Sequence, residues 1–325
     1  MVDYTDSAAY EEWDDTVQAN ADVITGKEFA THQELVRQSM RFTYTEPRTK
    51  PNTIAGLVAM ALGTVTSTQD GALAAYRHKI TTAGSTSLPS IACQTLRDGG
   101  VQRLYTGIKS DGFQINENGP YFQLQSTLIG SGTRTVAADA FPAFISENWL
   151  RWGDATIYLK DTAGTPITIP AAPSQTVANL GGSEVNFSTR VLTWNLQWQN
   201  NLAAEMGYRA STGMVRQNFH STRRTATIAI KFEVDSASEA TDLNYYLNQT
   251  QLAIELRINS GVVIAATGAM FYGATFIIPR VQLTAMPRSQ TSEFENLEFQ
   301  GIIMDDLVNS ALVCFVYNNR VAYLV

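Results

Sequence analysis

Residues Thr106–Gly132 read TGIKSDGFQINENGPYFQLQSTLIGSG. Ile108, Phe113 and Ile115 fall in short apolar runs, and Phe122, Leu124 and Leu128 recur at every second place opposite Gln123, Gln125 and Thr127. That period of two predicts a pair of two-sided strands. Between them, Asn116-Glu117-Asn118-Gly119-Pro120 offers residues tolerant of positive φ and then a ring that cannot extend a ladder, so the chain turns there. The result is a hairpin without a reaction-site pattern, suited to use as a building surface.

Upstream, Met40, Phe42 and Tyr44 alternate with Arg41 and Thr43, giving a strand with one wet face that Pro47 and Pro51 stop. Asn52 is placed to cap an amphipathic helix with Ile54, Leu57, Val58, Ala61 and Leu62 on its apolar face, and Gly63 to end it. Tyr76, His78 and Ile80 mark another strand, and Leu88–Leu96 a further one.

Downstream of the hairpin, the aromatic residues Phe141, Phe144, Trp149 and Trp152 precede a short strand at Thr156–Leu159. Pro166, Pro170, Pro173 and Gly181-Gly182 then read as a linker or long surface loop. Beyond it, Leu192, Trp194, Leu196 and Trp198 alternate with polar residues, as do Ile228, Ile230, Phe232 and Val234. Ser236 stands three residues before Glu239, a capping-box spacing, with Ala240, Leu243 and Leu247 on one helical face. Strands follow at Leu252–Ile258, Phe276–Leu283, Leu297–Met304 and Leu312–Tyr317. Both halves show the same order of parts, with Phe42 answering to Phe232, Asn52 to Ser236 and Phe122 to Leu297, a duplication of pattern. The division is an arm over 1–21, a β domain over 22–132, a linker or long loop over 133–182 and a second β domain over 183–325.

Charged residues make up only 16% of the 325, so solubility rests on Thr, Ser, Asn and Gln, a surface suited to burial against copies of itself. A net charge of -7 and a pI near 5.1 argue against gripping nucleic acid, which requires Lys and Arg to displace counterions. Cys93 and Cys314 sit in apolar strand-like surroundings, outside any metal-binding spacing, and read as packing residues with no disulfide between them. The acidic segment Met1–Asp15 does not have the form of a secretory signal, and Tyr4, Tyr10 and Trp13 make it a docking arm or a frayed tail. Residues 258–279 carry no charged side chain, yet Gly261, Gly268, Gly273 and the Asn259-Ser260-Gly261 turn predict buried strands and no membrane helix.

His32, His78 and His220 are far apart, and none has a partner at metal-ligand spacing, so each reads as a surface or strand residue and no metal or cofactor is expected. Gly130-Ser131-Gly132 lacks the rest of a nucleotide loop, and no G-x-S-x-G elbow occurs. The acid pairs Glu11-Glu12, Asp14-Asp15 and Asp305-Asp306 read as solvated carboxylates, because neighbours on a strand face opposite ways. No catalytic constellation is present in the sequence.

Several strings together resemble the tail tube (major tail) proteins of long-tailed bacteriophages: GKEFATHQELVRQS at Gly26–Ser39, ALGTVT at Ala61–Thr66, DGG at Asp98–Gly100, YTG at Tyr105–Gly107, LIGSG at Leu128–Gly132 and the run from Phe141 to Leu159. The resemblance implies a mainly β fold with short helices: two tandem tail-tube-like β-sandwich or barrel domains, each with one flanking α-helix. It implies a non-enzymatic virion protein, made in the host cytoplasm, whose stacked rings form a conduit for DNA ejection. Its partners would be itself, the tape measure protein, other tail proteins and passing double-stranded DNA that it does not bind. Six domains around each ring would come from a trimer in preference to a hexamer. Glu233, Glu255, Glu295 and Glu298 are the candidate lumen-facing acids, and Tyr4, Tyr10, Trp13, Trp149 and Trp152 the candidate assembly contacts. The second reading is a carbohydrate- or receptor-binding β module using Trp149, Trp152, Trp194 and Trp198; an enzyme is the third.

Overall fold

The computed structural model describes residues 11–13, 16–20, 32–37, 40–83, 88–95, 103–130, 134–136, 147–208, 215–266, 268–290 and 295–324. Strands β1 (Glu11–Trp13), β2 (Thr16–Asn20), β3 (His32–Arg37) and β4 (Met40–Glu46) lead to helix α1 (Pro51–Leu62). Then come β5 (Gly63–Gln69), β6 (Tyr76–Thr82), β7 (Ile91–Thr95), β8 (Arg103–Asn118), β9 (Tyr121–Gly130), β10 (Arg134–Val136) and β11 (Ala155–Asp161). The second half holds β12 (Val185–Asn186), β13 (Val191–Gln199), β14 (Leu202–Tyr208), β15 (Val215–Ser221), β16 (Thr225–Glu233) and helix α2 (Glu239–Leu247). It ends with β17 (Gln251–Val263), β18 (Phe271–Ala285), β19 (Arg288–Gln290), β20 (Glu295–Ile303) and β21 (Val313–Asn318).

The chain is mainly β, and its pairings define two layers. Layer one runs β12-β11-β17-β18-β21-β6-β5. Layer two runs β20-β16-β13-β8-β9-β4-β1, with β19 on the outer edge of β20. Strand β18 belongs to both, since Gly273–Ile277 pairs with β21 and Val281–Ala285 with β20. Its length lets one strand turn the corner between layers. Hairpin β14–β15 pairs with β3 and so with β2 in a separate small sheet.

The hairpin expected around Gly119 is β8–β9, with Asn118 opposite Tyr121 and Gly119 at φ 60, a two-residue loop led by glycine. Ile115, Phe122, Leu124 and Leu128 point inward to join Trp194, Leu196, Trp198, Ile230, Phe232 and Phe299 in one core between the layers. Trp194 and Trp198 are therefore packing residues. Gly112 is required where β8 crosses β13, because a Cβ there would stand 2.2 Å from the Trp198 carbonyl oxygen. Leu192 departs from the expected alternation: a bulge between Val191 and Thr193 buries Val191 and turns Leu192 outward.

Helix α1 is buried on every side, and not amphipathic as its spacing suggests. It carries no charged residue and packs against β5, β6, β8, β18 and β21, so water meets no face of it. Lys50, not Asn52, occupies the N-cap, Pro51 opens the helix, and Gly63 closes it at φ 103 with its N–H on the Ala59 carbonyl. Helix α2 starts later than the capping-box spacing implies. The Asp235 carboxylate accepts the Ala237 N–H at 3.0 Å and its carbonyl accepts the Glu239 N–H at 2.9 Å, which sets the turn without Ser236. Tyr245 and Tyr246 pack on the core, while Leu247 is 61% exposed.

Residues 258–263 and 271–279 lie in the paired strands β17 and β18, with Gly261–Val263 exposed, and no helix among the described residues is long and apolar enough to cross a membrane. Cys314 is buried, Cys93 is half-buried against the core, and both are free thiols. Burial raises the Cys314 pKa far above its ordinary range.

His78 is fully buried, a strand residue but not a surface one. Its Nε2 lies 3.0 Å from Asn318 Oδ1 and its Nδ1 2.8 Å from Ser67 Oγ. Asn318 Nδ2 donates to Tyr323 Oη at 2.7 Å, and the Tyr323 hydroxyl donates to Asn52 Oδ1 at 2.6 Å. This order has Nε2 donating to Asn318 Oδ1, and in the neutral imidazole Nδ1 accepts the Ser67 hydroxyl. Burial lowers the His78 pKa from its ordinary value. A histidine with a depressed folded pKa stabilises the fold above its unfolded pKa of about 6.5, and that contribution is lost as pH falls through the folded pKa. Thermal melts from pH 7.5 to 5 should show wild-type stability declining more steeply than that of His78→Gln, by up to ~1.4 kcal/mol per pH unit. Parallel curves would exclude His78 as the titrating group.

Candidate functional site: the outer face of layer two

The β17-β18-β21 part of layer one is covered on both faces. Along β17, Leu252, Ile254, Leu256 and Ile258 enter the central core, while Ala253, Glu255 and Arg257 face the other way and are buried too. Residues 162–184 lie over that second face. Ile167 and Leu180 pack there with Ala253, Ile277, Val313, Phe315 and Tyr317, and Tyr317 Oη donates to the Pro173 carbonyl at 3.2 Å. Glu255 holds this strap: its carboxylate accepts the Asn179 backbone N–H and the Asn179 Nδ2, each at 2.7 Å. Burial raises the Glu255 pKa, against the two Asn179 bonds and the nearby Arg257, which favour the charged form. Gln175 ties the same strap to Phe271 through both backbone groups.

Layer two has the opposite character. Its outer face is open and is paved across six strands by amides and hydroxyls in register. One row runs Thr45, Gln125, Gln114, Gln197, Thr227 and Ile302, each directly opposite the next. A second runs Gln123, Asn116, Asn195, Ala229 and Gln300. On the other side of the first lie Thr43, Thr127, Gly112, Gln199 and Thr225. Side chains link strands, Gln114 Nε2 donating to Asn195 Oδ1 at 3.0 Å and Asn116 Nδ2 to Gln123 Oε1 at 3.4 Å. None of these three rows holds a charge. Charges stand at their ends, Arg41 and Lys109 on one side, Lys231 opposite Glu298 on the other. The three rows themselves offer no cation to a phosphate; the cations stand at their ends.

The four candidate acids separate. Glu233 and Glu298 lie on strands β16 and β20 at the charged end of this face. Glu295 is exposed at the edge, 2.7 Å from Arg288, which also pairs with Glu239. Glu255 is buried beneath the strap, so it cannot line a lumen; the alternation places it outward, but the outward face of β17 is not a wet face. The signal for this was Glu255 and Arg257 sharing one side of an otherwise apolar strand. Of the candidate contacts, Trp149 is 42% exposed, with its ring centroid 6.0 Å from that of Tyr121 and Arg48 stacked over both. Trp152 is half-buried against Phe122. Trp13 is described only as part of β1, and Tyr4 and Tyr10 lie outside the described residues, as do Phe141 and Phe144. A sugar platform of four tryptophans does not exist, since Trp194 and Trp198 are in the core.

Among the described residues no group of three His, Cys, Asp or Glu is placed to hold a metal ion. His32 and His220 lie in β3 and β15 of the small sheet, remote in sequence from His78 in β6.

If Glu255 anchors the strap, Glu255→Ala should lower stability by about 2–4 kcal/mol, because two charge-assisted bonds are lost and the Asn179 N–H is left unpaired. Urea denaturation measures the loss, and limited proteolysis should shift to residues 162–184. An unchanged cleavage pattern would count against the anchor.

A search of curated proteins returned no match to the chain. A family model described as phage tail tube protein matches residues 38–301, a span that takes in both helices, the strap, the strands from β4 to β19 and most of β20. The chain belongs to the phage tail tube protein family, a family of structural virion components that assemble with copies of themselves and with other tail proteins.

Proposed function

We propose that copies of this chain close into rings that stack into the tail tube, with the outer face of layer two turned toward the bore. The single observation that carries this reading is the uncharged, in-register band of Thr, Gln and Asn across six strands. A wall of a DNA conduit must let a polyanion pass without holding it, and holding it would require released counterions and therefore cations. At one end of the band Glu233 and Glu298 outnumber Lys231, and the resulting net negative charge repels phosphates and keeps the passing genome hydrated. The same wall would house the tape measure protein before ejection. With the second face of β17, β18 and β21 covered by the strap, layer two offers the broader open sheet face for the role.

The element order recurs in the two halves. Strand β4 pairs with β9 and β16 with β20; α1 runs into hairpin β5–β6 and α2 into β17–β18. This recurrence supports two tandem tail-tube-like units that share a core, three chains then giving six units around the bore. Trp149, exposed beside Arg48 and Tyr121, is a contact between neighbours in this arrangement.

Negative-stain imaging of the purified chain should show rings or tubes with a central pore and three-fold averages. Wild-type tubes should not retain double-stranded DNA at about 0.1 M salt. A Gln114→Lys/Gln197→Lys variant should retain it, with an affinity that falls steeply as salt rises. Compact monomers, or tubes whose DNA retention ignores these lysines, would refute the assignment of this face.

A further inference from the structure

Strand β5 stands at one margin of layer one, and among the described residues only β6 pairs with it. Its sequence, GTVTSTQ, contains no charge and no proline, and Thr66–Gln69 are all exposed. Among the described residues, no backbone hydrogen bond outside the β5–β6 ladder involves Thr64–Thr68. Natural sheets blunt such margins with charge, brevity or a covering segment, because an open ladder recruits another strand. Two other margins, at β12 and β19, follow that rule. Strand β12 is two residues long, and Ser188 Oγ beside it accepts the Ile157 N–H at 2.9 Å. Strand β19 is three residues long and carries Arg288 in its ion pairs.

The second half shows what the margin at β5 lacks. Strands β6 and β18 flank β21 on its two sides, each as the second arm of a hairpin that follows a helix. In the α2 hairpin the first arm, β17, has its outer edge taken by the seven residues of β11, Ala155–Asp161 against Leu252–Ile258. In the α1 hairpin the corresponding arm is β5, also seven residues long, and no described strand lies on its outer edge.

We propose that a strand from a second copy of this chain adds to β5, in the place that β11 takes on β17. The proposal rests on the tube reading above and names the contact by which one copy grips the next. Backbone bonds supply the attachment, and the threonines at 64, 66 and 68 leave it free of charge repulsion. The occupant is a sibling chain because a self-assembling ring repeats each head-to-tail contact in every copy, and a neutral edge gives a distinct partner no charge to recognise. With the outer face of layer two at the bore, this bond lies in the other layer and stitches neighbours away from the DNA.

Hydrogen exchange of wild-type rings against the dissociated chain tests it. Amides in Thr64–Thr68 should slow by at least about tenfold on assembly. Adjacent strand residues direct their N–H groups to opposite sides, so of Thr66→Pro and Ser67→Pro one disturbs the β6 ladder and the other the open side; Ser67→Pro is read against Ser67→Ala, which removes the same hydroxyl contact with His78 and leaves the backbone intact. The variant whose free chain melts like wild type should still lose ring formation at least about tenfold. Wild-type rings in which Thr64–Thr68 exchange as fast as in the free chain, or normal assembly of that proline variant, overturn the edge contact and leave the tube reading standing. A wild-type chain that forms no rings overturns the tube reading, and the edge contact with it.

Discussion

The clamp between Glu255 and Asn179 settles which surfaces this protein can offer. By fixing residues 162–184 across β17, β18 and β21, it converts a part of layer one that would have one wet face into a part buried on both. Strands buried on both faces read as nearly continuous apolar runs, and β17 is one, with Ala253, Glu255 and Arg257 enclosed together with Leu252, Ile254 and Leu256. A carboxylate in that position is tolerable only because two amide donors meet it. What remains for assembly is the open face of layer two, the margins of the layers and the aromatic cluster at Trp149.

The open face is unusual in how it achieves solubility. Exposed faces of antiparallel sheets commonly carry Lys and Glu; here the centre carries amides and hydroxyls that bond across strands, as Gln114 does to Asn195. Neutral side chains cost little to bring near a polyanion and gain little from it. A conduit needs that indifference more than it needs strong repulsion, and the low charge content of the chain, 16% of residues, is concentrated away from this band.

The two halves share a pairing order but not an environment. Helix α1 is enclosed between the layers, whereas α2 buries only Asp242, Tyr245 and Tyr246 to any depth. Strand β17 is covered by β11 and β5 is not. In an oligomer these differences fall into place as the inside and the outside of one contact, since a repeat that is complete in one half and incomplete in the other invites completion by a neighbour.

The sequence by itself determined the period-two strands, the hairpin at Gly119, the end of α1 at Gly63 and the inward tryptophans Trp194 and Trp198, because alternation and turn chemistry are local and act before any partner is chosen. It also carried the family, through short strings lying between Gly26 and Leu159. Only the tertiary structure decided that residues 162–184 form a strap, that Glu255 is its anchor and not a lumen acid, that α1 has no wet face, and that Leu192 is turned out by a bulge. Each of these depends on what lies across from a residue at long sequence separation: Asn179 from Glu255, Tyr323 from Asn52, β8 and β21 from α1. A strand's periodicity states which side chains share a face; whether that face meets water is fixed by another part of the chain.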